Sequence, residues 1–222
     1  MDSHMPESPV WVAFDLDGTL TAGETLPHFL RFVLGPRRYT GALLRSFPEL
    51  LGYAFGTTPN YAVKERVLTH TIAGMPLEEL EARGAAFAEE VLPGLLRPSV
   101  WQRFLAHRDR GDRLVLVTAT LGVYARPWAE AAGFHAVVAT RLDCDCNQRI
   151  TGRLAGKNCF GPEKARRLQE ECRIRALDHA YGNSRGDREM LQMAEHPVYI
   201  SRHNAFGGSL TPLVPARILP SG

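Results

Sequence analysis

Five short apolar runs mark the chain: Val10 to Phe14, Leu114 to Thr118, Ala136 to Ala139, His179 to Tyr181 and Val198 to Ile200. Each is rich in β-branched or aromatic side chains and bounded by polar or turn residues, which predicts buried strands. Between the later runs, apolar residues recur every three or four positions. "SVWQRFLAHRDRG" sets Val100, Phe104 and His107 on one stripe and closes on a glycine; "PEKARRLQEEC" and "DREMLQMAEH" carry the same spacing and predict helices. Strands that alternate with helices predict a parallel sheet covered on both faces, an α/β fold. Residues 22 to about 98 break the rhythm. They are helical in pattern almost throughout, with turn signals at "LGP", "GTTPN" and "AGMP", and read as a helical insert after the first strand.

A chain of 222 residues with 45% hydrophobic content can bury a sizeable core and still carry a smaller inserted unit. A net charge of +2, from 26 basic and 24 acidic residues, gives no global field for nucleic acid, so no such partner is expected. Cys144, Cys146, Cys159 and Cys172 follow no secretory signal, which predicts reduced thiols in a cytoplasmic protein. "CDC" with Cys159 lacks the CxxC pair or neighbouring histidines of a zinc site. The opening "MDSHM" reads as the remnant of an expression tag and carries no fold argument. The longest apolar stretch, "TGALLRSFPELLGYAF" at 40 to 55, is interrupted by Arg45, Pro48 and Glu49 and falls short of a membrane span.

The first strand runs directly into "DLDGTL". In an open α/β sheet ligands gather at the carboxyl ends of the strands, and alternation along an extended chain puts Asp15 and Asp17 on the same side there. Two carboxylates so close repel unless a cation or a proton intervenes, and a pocket holding both calls for Mg²⁺. An ordinary D-G turn is the plainer reading, and D-x-D-G also opens calcium loops. Three later stretches weigh against it. "LVLVTAT" ends the second strand at Thr118, whose hydroxyl, with the backbone N–H groups from Ala119 onward, could hold phosphate oxygens. "GPEKARRL" puts Lys164 just inside a helix start, where it opposes the dipole and is better explained by an anionic partner. "YGNSRGDREML" follows the fourth strand and places Asn183 and Asp187 in a loop entering a helix. Together these supply a nucleophile, an acid, a hydroxyl, a compensating cation and metal ligands, the parts of phosphoryl transfer.

"DLDGTL", "VTAT", "GPEKARRL" and "GNSRGDREML", in this order, resemble the four motifs of the haloacid dehalogenase superfamily of phosphatases, over residues from about 10 to 200. The insert resembles the helical cap of subfamily IB, the phosphoserine phosphatase-like branch. Within that branch "WAEAAGF", "TGRLAGKNC" and "GPEKARRL" look most like the general hydrolases and phosphatidylglycerophosphatase C-type enzymes. The resemblance implies a Rossmann-like core over 8–21 and 99–205, a C1-type cap over 22–98 and a tail over 206–222. It also implies Asp15 as nucleophile, Asp17 as acid and base, and Thr118 and Lys164 on the phosphoryl group. Mg²⁺ would be held by Asp15, the Asp17 carbonyl, Asn183 and Asp187. Asn183 departs from the pattern, since many relatives have an aspartate there; a neutral amide should bind Mg²⁺ more weakly.

The implied function is a Mg²⁺-dependent phosphomonoesterase working through an aspartyl-phosphate, with a lipid phosphate such as phosphatidylglycerophosphate as one substrate. The alternatives are a phosphatase for phosphoserine or histidinol phosphate, and a non-catalytic phospholigand-binding relative. Glu24 stands where phosphoserine phosphatases meet the substrate ammonium, yet "TAT" replaces their Ser-Gly-Gly, and Glu24 could equally form a surface pair. Lys64 and Arg66 lie near the position of a substrate-contacting arginine, against the alternative of a solvated helix face. Arg31, Arg37, Arg38 and Arg45 among leucines and aromatics could bring the cap to an anionic membrane surface, or the stretch could pack within the cap.

Overall fold

The computed structural model describes residues 10–201. The expected tail and the last residues of the expected core lie outside that range. In chain order the strands are β1 (Trp11–Phe14), β2 (Arg113–Leu121), β3 (Ala136–Thr140), β4 (Leu142–Cys144), β5 (Ile150–Leu154), β6 (Leu177–Gly182) and β7 (Ala194–Tyr199). The helices are α1 (Leu26–Leu34), α2 (Pro36–Arg45), α3 (Phe47–Ala54), α4 (Asn60–Thr71), α5 (Leu77–Glu90), α6 (Pro98–Asp109), α7 (Gly122–Ala132), α8 (Pro162–Glu171) and α9 (Arg188–Gln192).

Five strands form one parallel sheet in the order β3-β2-β1-β6-β7. Its two faces follow the period of two along each strand. Val12, Phe14, Leu114 and Leu116 point to one side, where they meet Val100 and Phe104 of α6 and Tyr124 and Trp128 of α7. Ala13, Val115 and Val117 point to the other, against Leu168 of α8 and Met190 and Leu191 of α9. Phe14 stacks on Tyr181 at 4.4 Å between centroids, which locks β1 to β6 beneath the first loop.

The helical block α1 to α5 leaves the sheet after Thr21 and returns at Leu96, where the two residues pair as an antiparallel bridge. The Ala22 N–H donates to the Leu95 carbonyl at 3.0 Å and the Arg97 N–H to the Leu20 carbonyl at 2.7 Å, so the neck is a short two-stranded tie. A second joint lies between α5 and α7. Pro127 has no N–H to give the carbonyl of Val123 four residues back. Gly84 of α5 packs against that carbonyl so closely that a Cβ would sit 2.2 Å from the oxygen.

Two elements differ from expectation. Helix α9 ends at Gln192, and Ala194 to His196, expected to be helical, join β7 instead by pairing in register with Leu177 to His179 of β6. Parallel pairing at the sheet edge outweighs the local helical spacing there. The antiparallel hairpin β4–β5 has no counterpart in the sequence reading. It buttresses the cap: the Leu154 N–H donates to Glu65 Oε1 at 2.9 Å, and Gly152, at φ 85°, approaches Thr69 of α4 so that a Cβ would lie 2.6 Å from it. No helix among the described residues is long and apolar enough to cross a membrane.

Candidate active site

The chain leaves β1 at Asp15 and turns at once, with the Thr21 N–H closing onto the Leu16 carbonyl at 3.0 Å. Gly18 sits in the turn at φ 75°, and a Cβ there would lie 2.0 Å from the Asn183 side-chain nitrogen, so this position needs glycine on both counts. Arg97, buried in the neck, donates from Nη2 to the Gly18 carbonyl at 3.0 Å and braces the loop.

Around this turn lies a cavity of about 240 Å³ lined by Asp15, Asp17, Thr118, Lys164, Asn183 and Asp187. Each comes from the carboxyl end of a sheet strand or the helix start beside it, as the topology dictates. Ala119, Glu24 and Lys64 line the same cavity. Lys164, from the first turn of α8, is 1% exposed, with Nζ 2.6 Å from Asp15 Oδ1 and 2.5 Å from Asp187 Oδ1. The Thr19 hydroxyl donates to Asp15 Oδ2 at 3.0 Å. Asp187 Oδ2 accepts from the N–H groups of Asn183 and Ser184 and from the Ser184 hydroxyl.

These partners divide the two carboxylates. Burial and the charge of Asp187 push the Asp15 pKa up by more than Lys164 pulls it down. Burial acts on Asp187 too, but Lys164 and the Ser184 donors outweigh it and hold that group below its usual range. Lys164 itself is raised, because the two carboxylates outweigh its own desolvation. Asp17 is raised by burial, against the Thr25 donors that favour its charged form. Its Oδ1 accepts from the Thr25 N–H at 2.8 Å and the Thr25 hydroxyl at 2.6 Å, which fixes the carboxyl at the cavity wall. Behind it the hydroxyls of Thr25, Thr120 and Tyr124 form a buried chain. Thr118 Oγ1 accepts from the Thr120 N–H at 3.0 Å, so its proton stays free to donate.

The donors on offer to a metal are all oxygens: the carboxylates of Asp15 and Asp187, the Asp17 carbonyl and the Asn183 amide oxygen. Among the described residues no three His, Cys, Asp or Glu side chains gather at a metal site. So sparse a set, with only two carboxylates, suits Mg²⁺, which keeps waters and takes phosphate oxygens as its remaining ligands. The raised Asp15 points the same way, since one lysine leaves its charge undercompensated and a divalent cation would lower it. The residues present therefore fit the ion.

The cap reaches the cavity through Lys64. Its Nζ donates to the Ala119 carbonyl at 2.8 Å and to Asn158 Oδ1 at 3.0 Å, and burial lowers its pKa. Arg66 does not join it. Two positions along a helix rotate a side chain by about 200°, and Arg66 turns outward to pair with Glu49 at 2.7 Å on the cap surface. The expected substrate contact at Arg66 is therefore corrected to a surface ion pair. Glu24 stands at the cavity mouth, its outer atoms in solvent, and partial desolvation of its carboxyl together with the charge of Asp17 raises its pKa. It also borders a second cavity of about 210 Å³ lined by Leu26, Leu30, Tyr39, Leu43, Leu50, Val63 and Val67, which shares Lys64 and Asn60 with the first.

Sequence reasoning missed Thr19, Thr25, Thr120, Tyr124 and Asn158. Thr19 and Thr120 stood inside quoted motifs without a role, and Thr25 precedes the Leu-Pro that opens α1, where a capping residue is expected. Asn158 likewise stood inside the quoted "TGRLAGKNC" without a role, its partners Lys64 and Thr140 being remote in sequence, and Tyr124 carried no local signal although one of its partners, Thr120, lies only four residues away.

Residues 12–192 match the family described as haloacid dehalogenase-like hydrolase. The chain belongs to that family. It is 36% identical over 203 residues to Protein CicA of Caulobacter vibrioides, covering 90% of this chain and 89% of that protein. It is 24% identical to phosphoserine phosphatase SerB1 of Mycobacterium tuberculosis, over 85% of this chain and 63% of SerB1. Among solved structures, a protein of unknown function from Bordetella pertussis Tohama I aligns with a TM-score of 0.73 at 24% identity, covering 86% and 90% of the two chains. A substrate-bound phosphoserine phosphatase aligns with a TM-score of 0.61 at 16% identity, covering 86% and 85%. These likenesses give the hydrolase family and the Rossmann-like fold.

Proposed function

We propose that this hydrolase is a Mg²⁺-dependent phosphomonoesterase that works through an aspartyl-phosphate on Asp15. The observation that carries the reading is Lys164 held between Asp15 and Asp187 in the one cavity that also contains Asp17 and Thr118. The Asp15 carboxylate attacks phosphorus as the bond to the leaving oxygen breaks. Asp17, whose raised pKa suits an acid, gives that oxygen its proton. As a carboxylate, Asp17 then takes a proton from water, which attacks phosphorus and frees Asp15. Thr118 and Lys164 bind the phosphoryl oxygens throughout. Asp15, Asp187, Asn183 and the Asp17 carbonyl would hold Mg²⁺, which when bound would supply charge stabilisation to the phosphoryl group. A binding protein would need neither a paired nucleophile nor an acid, which argues against a non-catalytic relative.

For the alcohol half of the substrate, the apolar cavity beside Lys64 favours a hydrocarbon group, and hence a lipid phosphate of the phosphatidylglycerophosphate kind. Glu24 at the shared mouth supports a second reading, an ammonium-bearing metabolite such as phosphoserine, in keeping with the relatives of that name. Phosphate release from an aryl phosphate, phosphoserine and a lipid phosphate tests both. Asp15→Asn should lower turnover of the aryl ester by at least about a thousandfold while the protein stays folded. EDTA should stop wild-type turnover and Mg²⁺ restore it. A variant within tenfold of wild type, or full activity in chelator, would refute the mechanism.

A further inference from the structure

Large apolar side chains exposed among the described residues are few, and most of them sit together. Leu44 (70% exposed), Phe47 (57%), Leu51 (45%) and Phe55 (76%) fall on α2, α3 and the residue after, while only Val10 and Tyr61 lie elsewhere. Phe47, Leu51 and Phe55 recur every fourth position and share one stripe of the helix. Beside them, α2 and the end of α4 enclose a groove of about 500 Å³ lined by Arg37, Arg38, Arg45 and His70, with no carboxylate in its wall. None of these arginines forms an ion pair among the described residues, although Arg66 nearby does. Seven positions apart, Arg37 and Leu44 lie on the same side of α2, with Arg45 next to Leu44 in the chain, so exposed basic and apolar side chains adjoin on this helix.

A packed cap explains neither feature, because these arginines and aromatics face outward. We propose that this face docks on a bilayer of anionic phospholipid, with the arginines taking headgroup phosphates and Leu44, Phe47, Leu51 and Phe55 entering the interface. Unpaired cations next to an exposed apolar stripe match such a surface in both charge and depth. The inward sides of the same helices present Leu43 and Leu50 to the apolar cavity that adjoins the active site. Docking is a claim about the surface alone and stands whichever phosphate ester is hydrolysed.

Co-sedimentation of the full chain with phosphatidylcholine vesicles, with and without added phosphatidylglycerol, tests it. Wild type should bind only the anionic vesicles, and added salt should release it. The triple variant Arg37→Gln, Arg38→Gln, Arg45→Gln should weaken binding by about a hundredfold, and Phe47→Glu with Phe55→Glu should abolish it. Both should keep wild-type turnover of a soluble aryl phosphate, which shows that they remain folded. Equal binding to neutral vesicles, no vesicle binding, or unchanged affinity in both variants would overturn the proposal. So would a dimer in solution that Phe47→Glu dissociates with no vesicle binding, since the stripe would then be a contact between copies.

Discussion

The core and the cap meet the same cavity by different means. On the core side, buried groups from the ends of β1, β2 and β6 and from α8 neutralise one another, and Lys164 alone binds two carboxylates. On the cap side one long side chain, Lys64, crosses the gap to a backbone carbonyl and an asparagine. The core site is therefore built by compensation of charge, which tolerates no missing member. The cap is held by the neck tie, the α5–α7 joint, the β4–β5 hairpin and the Lys64 latch, and it keeps its unpaired cations outside. On the proposed function, the first region would carry the chemistry and the second would help select the substrate.

Removing Lys164 should break the core side most severely. Lys164→Met leaves Asp15 and Asp187 facing each other in a buried site, and an uncompensated buried charge costs about 3–5 kcal/mol. The loss should sit near the lower end, because the already raised Asp15 can take up a proton. Urea unfolding in metal-free buffer measures it, and turnover should fall by at least about a hundredfold. A loss under about 1 kcal/mol would mean the lysine is not what holds the carboxylates.

The cap latch should give a smaller and different effect. Lys64→Met leaves the Ala119 carbonyl short of a donor while Asn158 Oδ1 keeps the Thr140 hydroxyl, at about 1–3 kcal/mol, and should raise KM more than it lowers kcat. Arg66→Gln removes only an exposed pair and should change stability by less than about 1 kcal/mol with KM unmoved. Equal KM effects from the two would erase the distinction between latch and surface.

Asn183→Asp adds a charge to the metal site and should lower the Mg²⁺ concentration for half-maximal activity several-fold. An unchanged Mg²⁺ titration would remove Asn183 from the ligand set.

The smallest expected effect lies in the core, among residues that do not line the cavity. His107 donates from Nδ1 to Asp112 Oδ2 at 2.7 Å and accepts at Nε2 from the Tyr181 hydroxyl at 2.8 Å, and burial lowers its pKa below the ordinary 6.5. His179, edge-on to it at 4.8 Å between centroids, is lowered as well by burial. The unfolded chain therefore binds protons that the folded chain does not. The histidines' contribution to stability is complete above pH 6.5 and is lost as pH drops through their folded pKa values, opposite in sign to that of the raised Asp15 and Asp17. The melting temperature should decline over that range, and His107→Gln should flatten the decline. A slope unaffected by the substitution would place the dependence elsewhere.

Local pattern carried the sheet and much of the cavity. The apolar runs at Val12 and Val115 are strands because only burial on both faces accommodates them, and parallel topology then gathers Asp15, Thr118 and Asn183 at one edge. The hairpin β4–β5 was not legible, since a strand as short as Leu142–Cys144 shows no period and is held by its contact with α4. Lys64 and Arg66 looked alike, and only the docking of α4 sent one inward and the other to Glu49.

The sequence by itself determined the α/β class, the helical insert and the chemical kinds of the residues at the strand ends, because periodicity and charge spacing are local properties of the chain. Tertiary structure alone decided that Lys164 would bridge Asp15 to Asp187, that Thr25 and Tyr124 would back Asp17, and that Leu44, Phe47, Leu51 and Phe55 would stay exposed. Each of these joins groups remote in sequence, or leaves a face uncovered. Pairing across the fold and burial are settled only when the elements pack.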